Sequence, residues 1–499
     1  MNITLISPYP DITVFGLRTI SAYLKAHGHN CRLIFLPDPY GGDVVFRTDR
    51  YSESVLDELV TLCREADLVG VTLMTNFFDG AVQITRKLNN CLSVPVVWGG
   101  IHPTIRPEDS LRFADIVCIG ESEDAMVELA DKMERGVDYS GIHNLWLRSN
   151  GSIVKNPLRP LNTNLDTYPA PDYSFDDHNI LFDGHLRPLT YELTRTFLER
   201  GTVWGDLKKI GYQTMTGRGC PNKCTYCIND NIRNLYGNKG YIRWRSTSHV
   251  IDELLWVKER MPFVGYIWIS DESFLARSPE SIEEFCREYK DKINMPFTCL
   301  ASPLTITEEK MEFLLDAGLI YVQMGIESVS RRIQALFDRQ IVPAEKVMNS
   351  IKIINRGSNK MYPPGYDFIQ DFPYETDKDK IENLKFIADM PKPYRIHPFS
   401  LILYPETRLY LDAVKDGLIK EDEYAVYAKT YSTGDKSYLN LLMSLAKDGT
   451  MPGPLLKFLV SPPVLAALNN RAMKPAIRTI CELLRLAYRK LGTLKSHLP

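Results

Sequence analysis

The 499-residue chain predicts an α/β protein with two successive strand–helix domains and a helical end. Three observations predict it. Residues 1–138 hold five strand–helix repeats, residues 206–412 hold six more strands, and residues 413–499 are helix-rich with Gly and Pro breaks. Apolar strands that alternate with helices are covered on both faces, the pattern of a parallel sheet.

The first repeats run in order. An apolar strand at 3–7 precedes a helical spacing at 17–27, which His27-Gly28-His29-Asn30 ends. Strand 31–36, helix 53–65, strand 68–73 and helix 79–90 follow. Strand 94–98, a short helix at 107–113, strand 116–119 and a closing helix at 124–135 complete the set. Five such units fit a flavodoxin-like, doubly wound domain, whose ligands bind beyond the carboxyl ends of the strands. Those ends read Ser7-Pro8-Tyr9-Pro10, Thr72-Leu73-Met74-Thr75-Asn76-Phe77, Gly99-Gly100-Ile101-His102-Pro103-Thr104 and Gly120-Glu121-Ser122-Glu123. A Gly-Gly pair after a buried strand lets backbone approach a large flat ligand closely.

Residues 139–205 read as a connector and insertion, with a turn at Asn150-Gly151 and a helix near 191–200. Strands then recur at 213–216, 266–269, 297–300, 321–325, 366–369 and 398–403.

The most informative stretch lies after the first of these strands: Cys220-Pro-Asn-Lys-Cys224-Thr-Tyr-Cys227, preceded by Thr216-Gly217-Arg218-Gly219. CxxxCxxC spacing suits a [4Fe–4S] cluster, which normally takes four thiolates. Three on one loop leave one iron open to bind a substrate or cofactor. Structural zinc is the competing reading, but it prefers four ligands in CxxC pairs, and no second CxxC is present.

This motif, with the aromatic Tyr226 before its last cysteine, resembles the signature of the radical S-adenosylmethionine (SAM) superfamily. The resemblance implies a partial (β/α)6 barrel over 206–412, with a [4Fe–4S] cluster held by Cys220, Cys224 and Cys227. It also implies SAM on the open iron, cleaved after one-electron reduction to methionine and a 5′-deoxyadenosyl radical, with an electron donor such as flavodoxin or ferredoxin. Tyr226 would lie near the adenine. Asp271 and Glu272 would meet the methionyl ammonium, Ser270 and Asp271 reading equally as a helix cap. Glu327 and Ser328, in Gly325-Ile326-Glu327-Ser328, would also face SAM, with Arg339 as the alternative partner of Glu327. Asp371 and Glu406 stand where the family has Gly. The segment Arg243-Trp244-Arg245-Ser246 is similar to the one that covers the cluster.

The loops of residues 1–138, VPVVWGGIHPT and CIGESE above all, resemble the cobalamin-binding domain that precedes many radical SAM domains. Ser7, Thr75, Asn76, Gly99, Gly100, His102, Gly120 and Glu121 are the corresponding cofactor-binding candidates. No DxHxxG loop, which would offer cobalt a histidine, occurs in residues 1–140; Asp183-Gly184-His185 has only its first half. His102 is therefore expected to shape the loop or hydrogen bond within it rather than coordinate cobalt. Together these resemblances imply a cobalamin-dependent C-methyltransferase acting on an unactivated carbon of a small-molecule or lipid substrate. A radical cyclase or rearrangement enzyme with the same modules, or a non-catalytic cobalamin sensor, are the alternatives; an open cluster speaks against the sensor.

Composition narrows the setting. A formal net charge of −3 argues against bulk electrostatic binding to nucleic acid. The N-terminus lacks a signal-peptide pattern and no apolar run reaches membrane-spanning length. The seven cysteines outside the motif are scattered, as expected for reduced thiols in a cytoplasmic protein. The last helix, 474–491, sets Arg478, Arg485, Arg489 and Lys490 beside Ile and Leu residues, which allows peripheral membrane contact.

Overall fold

A computed structural model describes residues 1–37, 50–149, 151–175, 177–200, 207–237, 240–339, 342–419, 436–481 and 483. Two compact units are delimited: residues 1–274, 284–298 and 403–430, and residues 275–283, 299–402 and 431–499.

In the first unit, β1 (Asn2–Ser7), β2 (Asn30–Phe35), β3 (Leu68–Thr72), β4 (Val96–Gly99) and β5 (Ile116–Cys118) are the five expected strands. They lie parallel in the order β5-β4-β3-β1-β2, the flavodoxin-like winding. Ile6, Ile34, Val69, Val71, Val96 and Trp98 form part of one core with the helices Glu53–Cys63 and Phe78–Cys91. Ser52 caps the first of these helices by accepting from Val55 N.

The connector is not a loop. It supplies β6 (Leu145–Ser149) and β7 (Ser152–Lys155) at one edge and β8 (Asn179–Phe182) and β9 (His185–Pro188) at the other. Among the described residues the sheet thus has nine strands, in the order β7-β6-β5-β4-β3-β1-β2-β8-β9. The turn between β8 and β9 is Asp183-Gly184, with φ of 50° and 77°, the left-handed pair that a two-residue hairpin needs. The helix Tyr191–Arg200 falls where the sequence placed it. Asp172 fastens the connector: its carboxylate accepts from Ser21 Oγ at 2.6 Å and pairs with Lys25 at 3.0 Å and His178 at 3.3 Å. Burial would raise its pKa, but His178 and Ser21 reverse this and hold it far below the usual carboxylate range.

The second sheet has six strands: β10 (Ile210–Thr214), β13 (Val264–Ile269), β14 (Phe297–Ala301), β15 (Leu319–Glu327), β16 (Gly365–Gln370) and β17 (Arg395–Ser400), in that order. A small ladder of β11 (Gly217–Arg218) with β12 (Arg243–Trp244) stands beside it. All six expected strands are present, in the half-barrel arrangement. In the second unit, helices Tyr438–Ala446, Gly453–Leu459 and Pro462–Leu468 follow the sheet. Residues 482 and 484–499, with Arg485, Arg489 and Lys490 of the expected last helix, lie outside the described residues.

Candidate active site

A cavity of about 510 Å³ opens at the carboxyl ends of the first sheet, over the switch point between β1 and β3. Leu5, Gly70, Val71 and Val97 form its floor, and Gly99, Gly100, Gly120 and Glu121 its rim. Two of these glycines are required. Gly100 has φ +99°, and a Cβ there would stand 2.9 Å from the Leu73 carbonyl oxygen. Gly120 has φ +75°, and a Cβ would overlap the Tyr236 hydroxyl, which accepts from Glu121 N at 2.8 Å. Tyr9 also lines the cavity, and burial raises its pKa strongly, so the phenol stays protonated.

The same cavity is lined by Met215, Arg218, Gly219, Asn229, Tyr241 and Glu272. These flank the cysteine motif in sequence. The loops of the first sheet and the surroundings of Cys220 thus share one enclosure. Charges tie the two walls. Arg218 pairs with Glu121 at 3.0 Å and with Glu123 at 2.6 Å, and Arg243 pairs with Glu121 and donates to Asn162 O at 2.8 Å. Burial would raise the Glu121 carboxyl, but Arg218 and then Arg243 hold it below its ordinary value.

The cysteine loop runs from β11 into helix Ile228–Tyr236. Gly219, at φ +92°, makes the turn; Ser273 Oγ holds its carbonyl at 2.8 Å. Cys227 N donates to Cys224 O at 3.0 Å, and Cys227 is the residue that precedes the helix. Cys224 is buried, while Cys220 and Cys227 are partly covered. Burial, with Cys224 and Cys220 nearby, pushes the Cys227 thiol up to about 12. Sulfurs so placed give their protons up to a metal rather than to water. The helix N-terminus adds a positive end beside an anionic cluster. The donor set fits a [4Fe–4S] cluster, and the glycine-rimmed cavity fits a flat macrocycle.

Residues 1–130 match the family described as the B12 binding domain, and residues 214–387 match the radical SAM superfamily. The chain is a radical SAM enzyme with a cobalamin-binding domain. It is 28% identical over 362 residues to an uncharacterized methyltransferase of Pyrococcus horikoshii, covering 71% of each chain. It is 22% identical to the bacteriochlorophyllide d C-8(2)-methyltransferase of Chlorobaculum tepidum, covering 72% of this chain and 71% of that one. The fold is similar to the radical SAM methyltransferase TsrM from Kitasatospora setae, with TM-score 0.65, 17% identity, 83% of this chain and 76% of that one. The cofactors of this radical SAM enzyme are a [4Fe–4S] cluster, SAM and cobalamin.

Within the enzyme the candidate residues divide. Gly99, Gly100, Gly120, Glu121 and Glu272 line the cavity. Protein surrounds Glu272 on most sides while its surface opens to the cavity; burial, then Asp271, raises its pKa. Asp271 is buried and turned away, accepting from Thr216 N and Oγ1 at 2.5 Å each. Tyr226 is half-buried beside the cysteines. Ser7, Thr75, Asn76 and His102 do not reach the cavity surface. Ser7 Oγ accepts from Tyr9 N at 3.3 Å. His102 is fully buried, with Nδ1 3.1 Å from Thr75 Oγ1 and its ring 4.9 Å from that of Phe78. Its Nε2 and the Asn76 Oδ1 are buried without a hydrogen-bond partner among the described residues. Burial, then Arg106, lowers the His102 pKa to about 3, so the ring is neutral.

In the second unit Glu327 pairs with Arg339 at 2.8 Å, the alternative partner named from sequence. Ser328 is buried and donates to Asn383 Oδ1 at 3.1 Å. Glu327, Asp371 and Glu406 all have positive φ, of 65°, 59° and 63°. That conformation explains why glycine suits the last two positions in the family. Asp371 compensates by pairing with Lys380 at 2.7 Å and accepting from Asn440 Nδ2 at 2.7 Å.

Sequence reasoning missed two groups. The first is Arg218 and Arg243 with Glu121, whose members are far apart in the chain. The second is a polar cluster in the second unit, where Asp367 accepts from Gln323 Nε2 at 2.8 Å and meets His397 Nδ1 at 3.0 Å. The alternation Tyr321, Gln323, Gly325 along β15, with Asp367 and His397 in register on the next strands, was the available signal.

Proposed function

We propose that this enzyme is a C-methyltransferase that adds a methyl group to an unactivated carbon of a small molecule. When bound, SAM on the cluster supplies a 5′-deoxyadenosyl radical, and cobalamin supplies the methyl group. The observation that carries the reading is the single cavity lined both by Gly99, Gly100 and Gly120 and by Gly219, Asn229 and Glu272. A substrate held in one cavity would have both groups within its reach.

The chain's own residues then have distinct tasks. Cys220, Cys224 and Cys227 hold the cluster and leave one iron for SAM. Glu272, open to the cavity, would accept from the SAM ammonium. The backbone at Gly99, Gly100 and Gly120 would hold the corrin, and Leu5, Val71 and Val97 would keep water from it. Tyr226 packs near the adenine. A flavodoxin or ferredoxin in the cytoplasm supplies the electron. That three similar proteins carry methyltransferase names supports methyl transfer over ring formation.

The test is the product mass after anaerobic incubation of reduced holoenzyme with methyl-labelled SAM and candidate substrates. A product heavier by one labelled methyl group, with 5′-deoxyadenosine and S-adenosylhomocysteine in equal amounts, is expected. A rearranged product of unchanged mass would overturn the reading.

A further inference from the structure

We propose that the C-terminal helices of the second unit form a docking surface for an anionic lipid membrane. Helix Gly453–Leu459 packs one face on helix Asp377–Asp389: Leu456 is buried, Lys457 pairs with Asp389, and a Cβ on Gly453 would overlap the Ala388 carbonyl oxygen. Asn469 Nδ2 donates to Asp377 Oδ2 at 2.8 Å and fixes the other end.

The remaining face is apolar and open. Leu455 and Phe458, three residues apart on one side of the helix, are 46% and 61% exposed. Helix Pro462–Leu468 buries none of its residues. Ile480 and Leu483 beyond it are 44% and 60% exposed. Large apolar side chains left exposed repeatedly along one stretch of chain point to an interaction site.

Charge identifies the occupant. Residues 451–499 carry eight Lys or Arg against one acidic residue, Glu482, although the whole chain has net charge −3. The end of the chain is therefore strongly positive and the rest strongly negative. Arg471, Lys474 and Arg478 are exposed in the same segment of chain as Ile480 and Leu483. Apolar side chains that enter the acyl boundary, with basic ones at the headgroups, match an anionic bilayer surface. A nucleic acid would leave Leu455, Phe458 and Ile480 against water. Among the described residues no helix is long and apolar enough to cross a membrane, so the contact is peripheral.

Full-chain holoenzyme is to be sedimented with vesicles of phosphatidylcholine alone and with phosphatidylglycerol added. Binding only with phosphatidylglycerol, weakened by salt, is expected. Phe458→Asp and the combined Arg471→Glu, Lys474→Glu, Arg478→Glu variant should each lower the bound fraction about tenfold, with iron and cobalt content unchanged as a check on folding. No binding to phosphatidylglycerol vesicles, equal binding to both vesicles, or binding that neither variant lowers would overturn the proposal. A concentration-dependent dimer that Phe458→Asp abolishes would instead assign the surface to a second copy of the chain.

Discussion

Glu121, just past β5, and Arg218, two residues before Cys220, form an ion pair of 3.0 Å. The pair joins the rim of the glycine-lined cavity to the cysteine loop. Arg243 closes the arrangement from β12, and Glu123 takes the other side of Arg218. The loops that bound the cavity are thereby tied to one another by charge.

Removing the Glu121 charge should loosen this tie. Glu121→Gln leaves two partly buried guanidinium groups short of a partner, at a cost of about 2–3 kcal/mol. The pH dependence has a definite sign. The folded pKa lies below the ordinary 4.5, so the contribution is present above about 4.5 and is lost as pH falls through the folded value. Thermal melting of wild type and variant at neutral pH and near pH 4 checks this: the gap should narrow at the acid end.

His102 gives a pH dependence of the same sign, from a group kept neutral rather than charged. Its ring stays neutral in the fold, with pKa moved from 6.5 to about 3. The unfolded chain therefore binds the extra proton between those values, and stability falls as pH drops below 6.5, by up to about 1.4 kcal/mol per pH unit. His102→Gln should remove that slope. Because the ring faces Thr75 and Phe78, the variant should also leave the electron paramagnetic resonance of the cob(II)alamin form unchanged. Nitrogen splitting that disappears in His102→Gln would place the imidazole on cobalt instead.

Much of this architecture was legible because strands buried on both faces read as unbroken apolar runs, as Leu68–Thr72 does. The β8–β9 hairpin is hidden because His185 and Arg187 make its outer strand polar; Asp183-Gly184 reads as half of a cobalt-ligand loop but is a hairpin turn. Of the adjacent pair Asp271 and Glu272, sequence offered no choice. Burial decides it, because Asp271 is consumed by Thr216 while Glu272 opens to the cavity. The ties of Glu121 to Arg218 and Arg243 span about a hundred residues or more, and no local pattern announces them.

The three motif cysteines should act as a set. Replacing Cys220, Cys224 and Cys227 together with Ala should remove about four irons per chain from anaerobically reconstituted protein and abolish SAM cleavage. Cobalamin binding should survive, because no motif cysteine lines the cavity. Iron and cobalt analysis of the same sample reads both outcomes, and full iron retention would contradict the cluster assignment.

The most direct test of methyl transfer needs no knowledge of the substrate. Cobalamin-loaded enzyme, reduced anaerobically, is mixed with SAM carrying an isotopically labelled methyl group, and the corrinoid is extracted for mass spectrometry. The labelled methyl should be recovered on the corrinoid, with one S-adenosylhomocysteine formed for each. A corrinoid that carries no label, while SAM is still cleaved to 5′-deoxyadenosine, would contradict the methyltransferase account.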